Sequence, residues 1–300
     1  MVVEIVLFVI IILICMLLVR SYYEIGQLEV STYEIPINKE NHDFKNSTSF
    51  VFLSDLHNNQ YNDKKDYLIK HIIALNPDFI IIGGDMMIVK SWQEKNFEPC
   101  FALLRQLVEH FPVYYANGNH ENRMKYHENS FPGWYKEFVA ELKKLNITHL
   151  IDESIKLENG IRISAIDLDE SYYGKFENHK ATISPEEIRE KVTIDDQTEE
   201  FHIVLCHKPL NTDGFAKNRI DLVLSGHYHG GMIRLPKIGA VFSPELSVFP
   251  KYSGGLYREN NTTLISSRGL GNHTINLRFL NKPEIVFCKL VKEKDNEPIV

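Results

Sequence analysis

The sequence predicts an α/β domain carried behind an N-terminal apolar helix, and three observations predict it. Short apolar runs bounded by turn residues alternate with segments of helical periodicity between residues 49 and 145. Further apolar runs of strand length recur at 161–166, 201–205 and 222–224. Ahead of them, Ile5 to Val19 is an uninterrupted stretch of fifteen apolar residues.

That stretch alone would cover only ~22 Å as a helix at ~1.5 Å per residue, a marginal span. A secretory signal is the competing reading, but no basic segment precedes the run and no small-x-small cleavage site follows it. Residues 1–22 are therefore expected to be a retained single-pass membrane anchor, with Tyr22 and Tyr23 at headgroup level. Arg20 after the span and Glu4 before it lean weakly toward a cytoplasmic C-terminal domain, too little charge to fix the side. Residues 23–47 read as a polar stalk holding one alternating segment, Leu28 to Ile35, an early strand. The main domain is expected over 48–292, with a short tail at 293–300.

Within the domain, Ser49 to Leu53 reads as a central strand and Asp63 to Leu75 as a helix with Leu68, Ile72 and Leu75 on one face. Asn76-Pro77 stops that helix. Phe79 to Ile82 is the next buried strand. Phe97 to Glu109 follows as a helix with Phe101, Leu104 and Val108 inward, then Val113 to Tyr115 as a third strand. This order favours parallel strands joined by crossover helices. After a helix at Trp134 to Leu145, strands are expected at Ile161–Ile166, Phe201–Leu205 and Leu222–Leu224. Residues 167–200 form a polar insertion with eleven acidic and four basic side chains. Its Ser184-Pro185-Glu186-Glu187 segment has the pattern of a capping box opening a short helix, and the insertion is either a solvated surface element or a lid. Later strands are expected at Thr263–Ser266, Ile275–Leu280 and Glu284–Lys289.

The totals exclude some functions. A formal net charge of −7 and a pI near 6.0 argue against a general nucleic-acid binder, which would need excess Lys and Arg. Four cysteines, at 15, 100, 206 and 288, share no paired spacing, so reduced core residues are expected in place of disulfides or a zinc ribbon.

The chemistry gathers where the strands end. Ligands of α/β sheets bind outside the carboxyl ends of strands. There the sequence places Ser54-Asp55-Leu56-His57, Gly83-Gly84-Asp85, Asn117-Gly118-Asn119-His120-Glu121, Cys206-His207-Lys208-Pro209 and Gly226-His227-Tyr228-His229-Gly230-Gly231. Each cluster alone has an ordinary structural reading as a cap, a turn or a satisfied histidine. Five at one end of a sheet are hard to explain that way. Carboxylate, imidazole and amide oxygen suit Mn, Fe or Zn better than Ca or Mg. Asp85, between glycine and methionine, has two carboxylate oxygens with which to bridge two ions. His120 is then free to protonate a leaving oxygen.

The ordered series Asp-x-His, Gly-Gly-Asp, Gly-Asn-His-Glu, His and Gly-His-x-His resembles the calcineurin-like metallophosphoesterase superfamily. Segments 230–236, 249–257, 267–271 and 278–285 resemble its bacterial membrane-anchored subgroup, some members of which cleave the pyrophosphate of UDP-2,3-diacylglucosamine. The resemblance implies two mixed β-sheets packed face to face and flanked by helices, a four-layer sandwich. It implies one metal held by Asp55, His57, Asp85 and His229, a second by Asp85, Asn119, His207 and His227, and in-line attack by a bridging hydroxide. Mn²⁺ is the first expectation for both ions. Met86-Met87-Ile88 and Met232 depart from the family pattern beside the motifs, which bears on substrate detail and not on the ligands. Arg234 and Arg268 are the basic residues expected to contact phosphate. The expected function is a dimetal phosphohydrolase on a phosphorylated small molecule or lipid at the bilayer. A non-catalytic metal-binding membrane scaffold, or a phosphodiesterase or protein phosphatase on soluble substrates, is the alternative.

Overall fold

The computed structural model describes residues 1–37, 48–59, 65–174, 180–195, 197, 200–272 and 276–292. In chain order its elements are α1 (Val2–Ile25), β1 (Glu29–Ile37), β2 (Thr48–Leu53), α2 (Lys65–Leu75), β3 (Phe79–Ile82), α3 (Glu98–Val108), β4 (Val113–Ala116), α4 (Asn119–Tyr126) and α5 (Trp134–Lys144). There follow β5 (Thr148–Leu150), β6 (Glu153–Lys156), β7 (Ile161–Ile166), α6 (Pro185–Lys191), β8 (Phe201–Cys206), α7 (Asp213–Lys217) and β9 (Leu222–Ser225). The chain closes with β10 (Arg234–Leu235), β11 (Gly239–Ala240), β12 (Gly255–Glu259), β13 (Thr262–Ser266) and β14 (Glu284–Lys292).

Two six-stranded mixed sheets result, ordered β1-β14-β2-β3-β4-β5 and β12-β13-β9-β8-β7-β6, with β10 and β11 as a separate ribbon. In the first, β2 to β5 run parallel and β14 is antiparallel to β2. In the second, β7, β8, β9 and β13 run parallel between antiparallel edges. Strand alternation distributes the side chains. Phe50 and Phe52 of β2, Phe79 and Ile81 of β3, Ile203 and Leu205 of β8 and Leu222 and Leu224 of β9 fill the space between the sheets. The alternate residues Val51, Leu53, Ile80 and Ile82 pack under Leu68, Ile72, Phe101, Leu104 and Phe138 of the helices. On the outside of the second sheet Val204 and Val223 meet Ile188 of α6 and Phe215 of α7. Helices, sheet, sheet and helices make the four layers.

The expected strands and helices recur with ends shifted by a few residues. Residue 63, the expected start of α2, lies outside the described residues, as does the 293–300 tail. The Ser184 side chain accepts a hydrogen bond from Glu187 N at 3.0 Å, capping α6 as its sequence pattern requires. Four features differ from expectation. The segment expected as a stalk contributes β1, which pairs in parallel with β14 along its whole length and so forms the edge of the first sheet. Ile275–Leu280 is not a strand: residue 275 lies outside the described residues, and among the others only Phe279 bridges to Ile233. Its backbone is occupied otherwise, because the buried Arg278 sends its guanidinium to the carbonyls of Arg268, Gly269 and Gly271 while its N–H donates to Ser21 Oγ. The Asn119-His120-Glu121 stretch opens α4. Finally, Cys15 is exposed on α1, whereas Cys100, Cys206 and Cys288 are buried free thiols.

Helix α1 has 24 residues, about 36 Å at 1.5 Å per residue, and is long and apolar enough to span a membrane. Its last turn is docked. Buried Glu24 accepts from Asn281 N at 2.9 Å and pairs with Arg20 at 2.6 Å.

Candidate metal centre

The five strand-end clusters converge. They follow β2, β3 and β4 of the first sheet and β8 and β9 of the second, each at the carboxyl end of a parallel strand. Packing the sheets face to face brings the two sets together. Close backbone approach makes this possible: a Cβ on Gly226 would lie 2.1 Å from Ser54 Oγ and 2.2 Å from Asp55 Oδ2. The loops are also wound into the left-handed region at Asp55, His57, Asp85, His227 and His229, with φ of 55, 47, 54, 66 and 52°. For residues with a Cβ this conformation is strained, and such strain clusters at functional sites.

Three groups of side chains bring ligand atoms within 4.8 Å of one another: Asp55, His57 and His229; His57, Asp85 and His120; and Asp85, His207 and His227. Asp85 belongs to two of them and stands between the others. The tandem histidines thus separate: His227 groups with Asp85 and His207, and His229 with Asp55 and His57.

The contacts turn ring nitrogens toward the two carboxylates. His207 Nδ1–H donates to Gly83 O at 2.7 Å, so Nε2, buried and lacking a well-angled hydrogen bond, faces Asp85 Oδ2 at 3.3 Å and Asp55 Oδ1 at 3.8 Å. His57 Nε2 lies 3.1 Å from His229 Nε2, and the latter 3.4 Å from Asp55 Oδ1. His227 Nε2 contacts Glu245 Oε1 at 2.9 Å, and its Nδ1 stands 2.9 Å from Asn119 Oδ1. Two buried carboxylates ringed by imidazole nitrogens form the N/O donor set that divalent transition metals take. The Gly83 and Glu245 contacts fix ring orientation as outer partners of metal-bound histidines do. The residues present fit two such ions.

Burial pushes the Asp55 carboxyl up to about 7, with Asp85 adding to the rise. Burial acts on Asp85 in the same sense, but His207, His120 and His57 outweigh it and hold that carboxyl well below its usual range. Burial lowers His207, and Asp85 and Asp55 reverse this, raising it to about 10.

His120 sits at the edge, its ring 5.0 Å from that of His57 and nearly perpendicular to it. Val89 N–H donates to His120 Nδ1 at 2.7 Å, which leaves the proton of the neutral ring on Nε2. Arg268 is spent elsewhere: its guanidinium donates twice to Glu284 and contacts Ser31 and Glu29. These bonds give Arg268 a structural role, as the cation that the buried Glu284 needs. Arg234 lies on the β10–β11 ribbon, bonded to Gly254 O at 2.7 Å. The insertion reaches the site through Tyr173, whose ring meets that of His227 at 5.1 Å.

Three supporting residues had escaped sequence reasoning. Glu121 accepts from the backbone N–H groups of Asp85, Met86 and Gly118 and from Tyr115 OH, pinning the Gly-Gly-Asp loop to the α4 start. Its place in Gly-Asn-His-Glu was a visible signal. Glu245 joins His227 to the fully buried Lys208, whose Nζ lies 2.7 Å from Oε2. Asn281 Nδ2 donates to the carbonyls of His229 and Gly231 at 2.7 and 2.6 Å. Neither of these two sits near the histidines in sequence.

The chain is 29% identical over 275 residues to the uncharacterized metallophosphoesterase YkuE of Bacillus subtilis, covering 90% of this chain and 87% of that protein. It is 26% identical over 276 residues to the phosphodiesterase YaeI of Escherichia coli, covering 90% and 91%. A dimetal phosphatase from Danio rerio is similar in structure with a TM-score of 0.42 at 12% identity, covering 74% of this chain and 88% of that one. Residues 48–231 match the calcineurin-like phosphoesterase family, a match over more than half of the chain, and the chain is a hydrolase belonging to that family.

Proposed function

We propose that this hydrolase uses two divalent ions, Mn²⁺ in the first instance, to cleave a phosphoester or pyrophosphate bond in a substrate presented at a membrane, such as a lipid-linked or nucleotide-sugar phosphate. The observation that carries it is Asp85 standing between two histidine groups. Asp55, His57, Asp85 and His229 would hold one ion, and Asp85, Asn119, His207 and His227 the other. When bound, such a pair supplies Lewis acidity toward a phosphoryl oxygen and a water of lowered pKa.

The chain's own residues do the rest. Asp55 is oriented by Ser54 Oγ and by His227 N–H, and Asp85 by His120 N–H at 2.8 Å, so the carboxylates are set before substrate arrives. His120 presents Nε2–H to the leaving oxygen as general acid. The site's burial excludes bulk water and strengthens each of these interactions. The name of YaeI supports a diester substrate. Helix α1 and its docking to Asn281 support a membrane setting.

The test is hydrolysis of a panel of phosphodiesters and pyrophosphates, bis(p-nitrophenyl) phosphate and UDP-sugars among them, by purified full-length chain with added Mn²⁺. Turnover that vanishes in Asp85→Asn is expected. Absence of turnover on the whole panel by the wild-type chain would favour the binding scaffold.

A further inference from the structure

We infer that the β10–β11 ribbon and the adjoining 241–249 hairpin form a surface that lies against an anionic lipid leaflet, the one α1 emerges from. The inference rests on reading α1 as a membrane span. Beyond the end of α1, six of the ten exposed large apolar side chains among the described residues belong to this region: Ile238, Phe242, Leu246, Val248, Phe249 and Leu280. Ile238, Phe249 and Val248 are 63, 56 and 52% exposed. Single exposed apolar residues are ordinary, but a contiguous group marks a contact surface.

The group is contiguous through its backbone. Arg234 N donates to Phe279 O and Phe279 N to Met232 O. Val241 N donates to Ile233 O, and Phe249 N to Val241 O. Leu280 shares a cleft of about 470 Å³ with Arg234, Lys237, Ile238 and Lys251.

A second observation is independent of exposure. Leu246, Phe249 and Leu280 have φ of 65, 49 and 54°, and Lys237 of 67°. Bulky residues held in the left-handed region cost free energy, and here that strain turns apolar side chains outward where folding gains nothing from them. Lys237 and Arg234 line the cleft beside Ile238 and Leu280, with Lys251, paired to Glu259 at 2.8 Å, next to them, a local basic edge on a chain of net charge −7. Apolar tips ringed by cations match the headgroup boundary of an anionic bilayer.

Position selects a bilayer over a protein partner. The segment bearing Leu280 is where α1 ends: Arg278 N donates to Ser21 Oγ and Asn281 N to Glu24 Oε2. Any membrane that α1 leaves at Tyr22 and Tyr23 passes beside Leu280 and the ribbon attached to it. The opposite side of Asn281 holds the carbonyls of His229 and Gly231. Two hydrogen bonds therefore link the end of α1 to the loop that carries His229.

The experiment uses the full chain reconstituted in phosphatidylglycerol vesicles whose acyl chains carry bromine, with tryptophan introduced by Phe249→Trp or, at the far end of the second sheet, by Asn260→Trp. Trp92 and Trp134 of the parent chain supply the baseline. The added Phe249→Trp emission is expected to shift to the blue and be quenched, that of Asn260→Trp to be unchanged, and the quenching to weaken when Lys237→Glu and Lys251→Glu are added. A chain that floats with the vesicles yet leaves Phe249→Trp unquenched overturns the surface while the anchor stands; cross-linking of Phe249→Cys to a second copy under those conditions does the same. A chain that fails to float overturns the anchor and the surface together.

Discussion

His227 and His229 stand one residue apart on the same loop, yet the groups behind them share nothing. Behind His227 is a charged relay, Glu245 and the buried Lys208, with Tyr173 and Tyr228 rings about 5.8 Å from the Lys208 ammonium. Behind His229 is a neutral amide, Asn281, which holds backbone carbonyls and leaves the imidazole to its neighbours. One half of the centre is therefore set electrostatically and the other by chain geometry. Loss of support should show as altered ion affinity on the first side and as altered stability on the second.

The largest effect is expected where the two sides meet. Asp85→Asn should remove the shared ligand, so elemental analysis after dialysis should find both ions lost, whereas loss of one ion alone would mean that Asp85 serves a single side. Next comes Glu245→Gln, which deprives His227 of its carboxylate partner. Such outer partners are worth roughly 10–100-fold in metal affinity, and titration with Mn²⁺ should show that weakening in one of the two sites. Equal weakening in both would dissolve the distinction. Asn281→Ala should leave the ion stoichiometry intact and cost about 1–3 kcal/mol in urea unfolding of the ion-free chain, because two buried carbonyls lose their donor.

A further effect, of similar size, concerns the loop bearing Asn119. His149 Nε2–H donates to Asn117 Oδ1 at 2.8 Å, and burial lowers its pKa to about 4 from 6.5. A histidine depressed in the folded state takes up its proton more readily when unfolded. Its contribution is thus complete above pH 6.5 and is lost as pH falls toward 4, up to about 3 kcal/mol over that window. Unfolding in urea at pH 7 and pH 5 should show this slope in the ion-free chain and a shallower one in His149→Gln.

Legibility from sequence followed locality. Asp55, His57, Asp85, Asn119, His120, His207, His227 and His229 were visible because each lies within a few residues of an apolar strand, and strand ends are what periodicity locates best. Glu245 was not, because it reaches the loop from 18 residues away and marks itself by no pattern; Asn281, 52 residues away, lies in the 278–285 segment, where nothing local ties it to the histidines. The strand expected at 275–280 failed for a related reason: an apolar-polar alternation says nothing of a buried arginine that claims the surrounding carbonyls. The ion pair of Arg268 could not be read from its neighbours because its partner Glu284 is sixteen residues distant. The β1 segment looked like a tether because its pairing partner is the final strand.

That last pairing governs the order in which the protein can be made. Strand β14 lies between β1 and β2, so Glu29 meets Glu284 and Ile37 meets Lys292. A nascent chain therefore carries β1 as an unsatisfied edge until residues 284–292 have left the ribosome, and contacts of such sequence separation form slowly. The domain cannot close one residue at a time behind its helix; its first strand waits for its last, and truncation before β14 should yield aggregates where a shortened enzyme was sought.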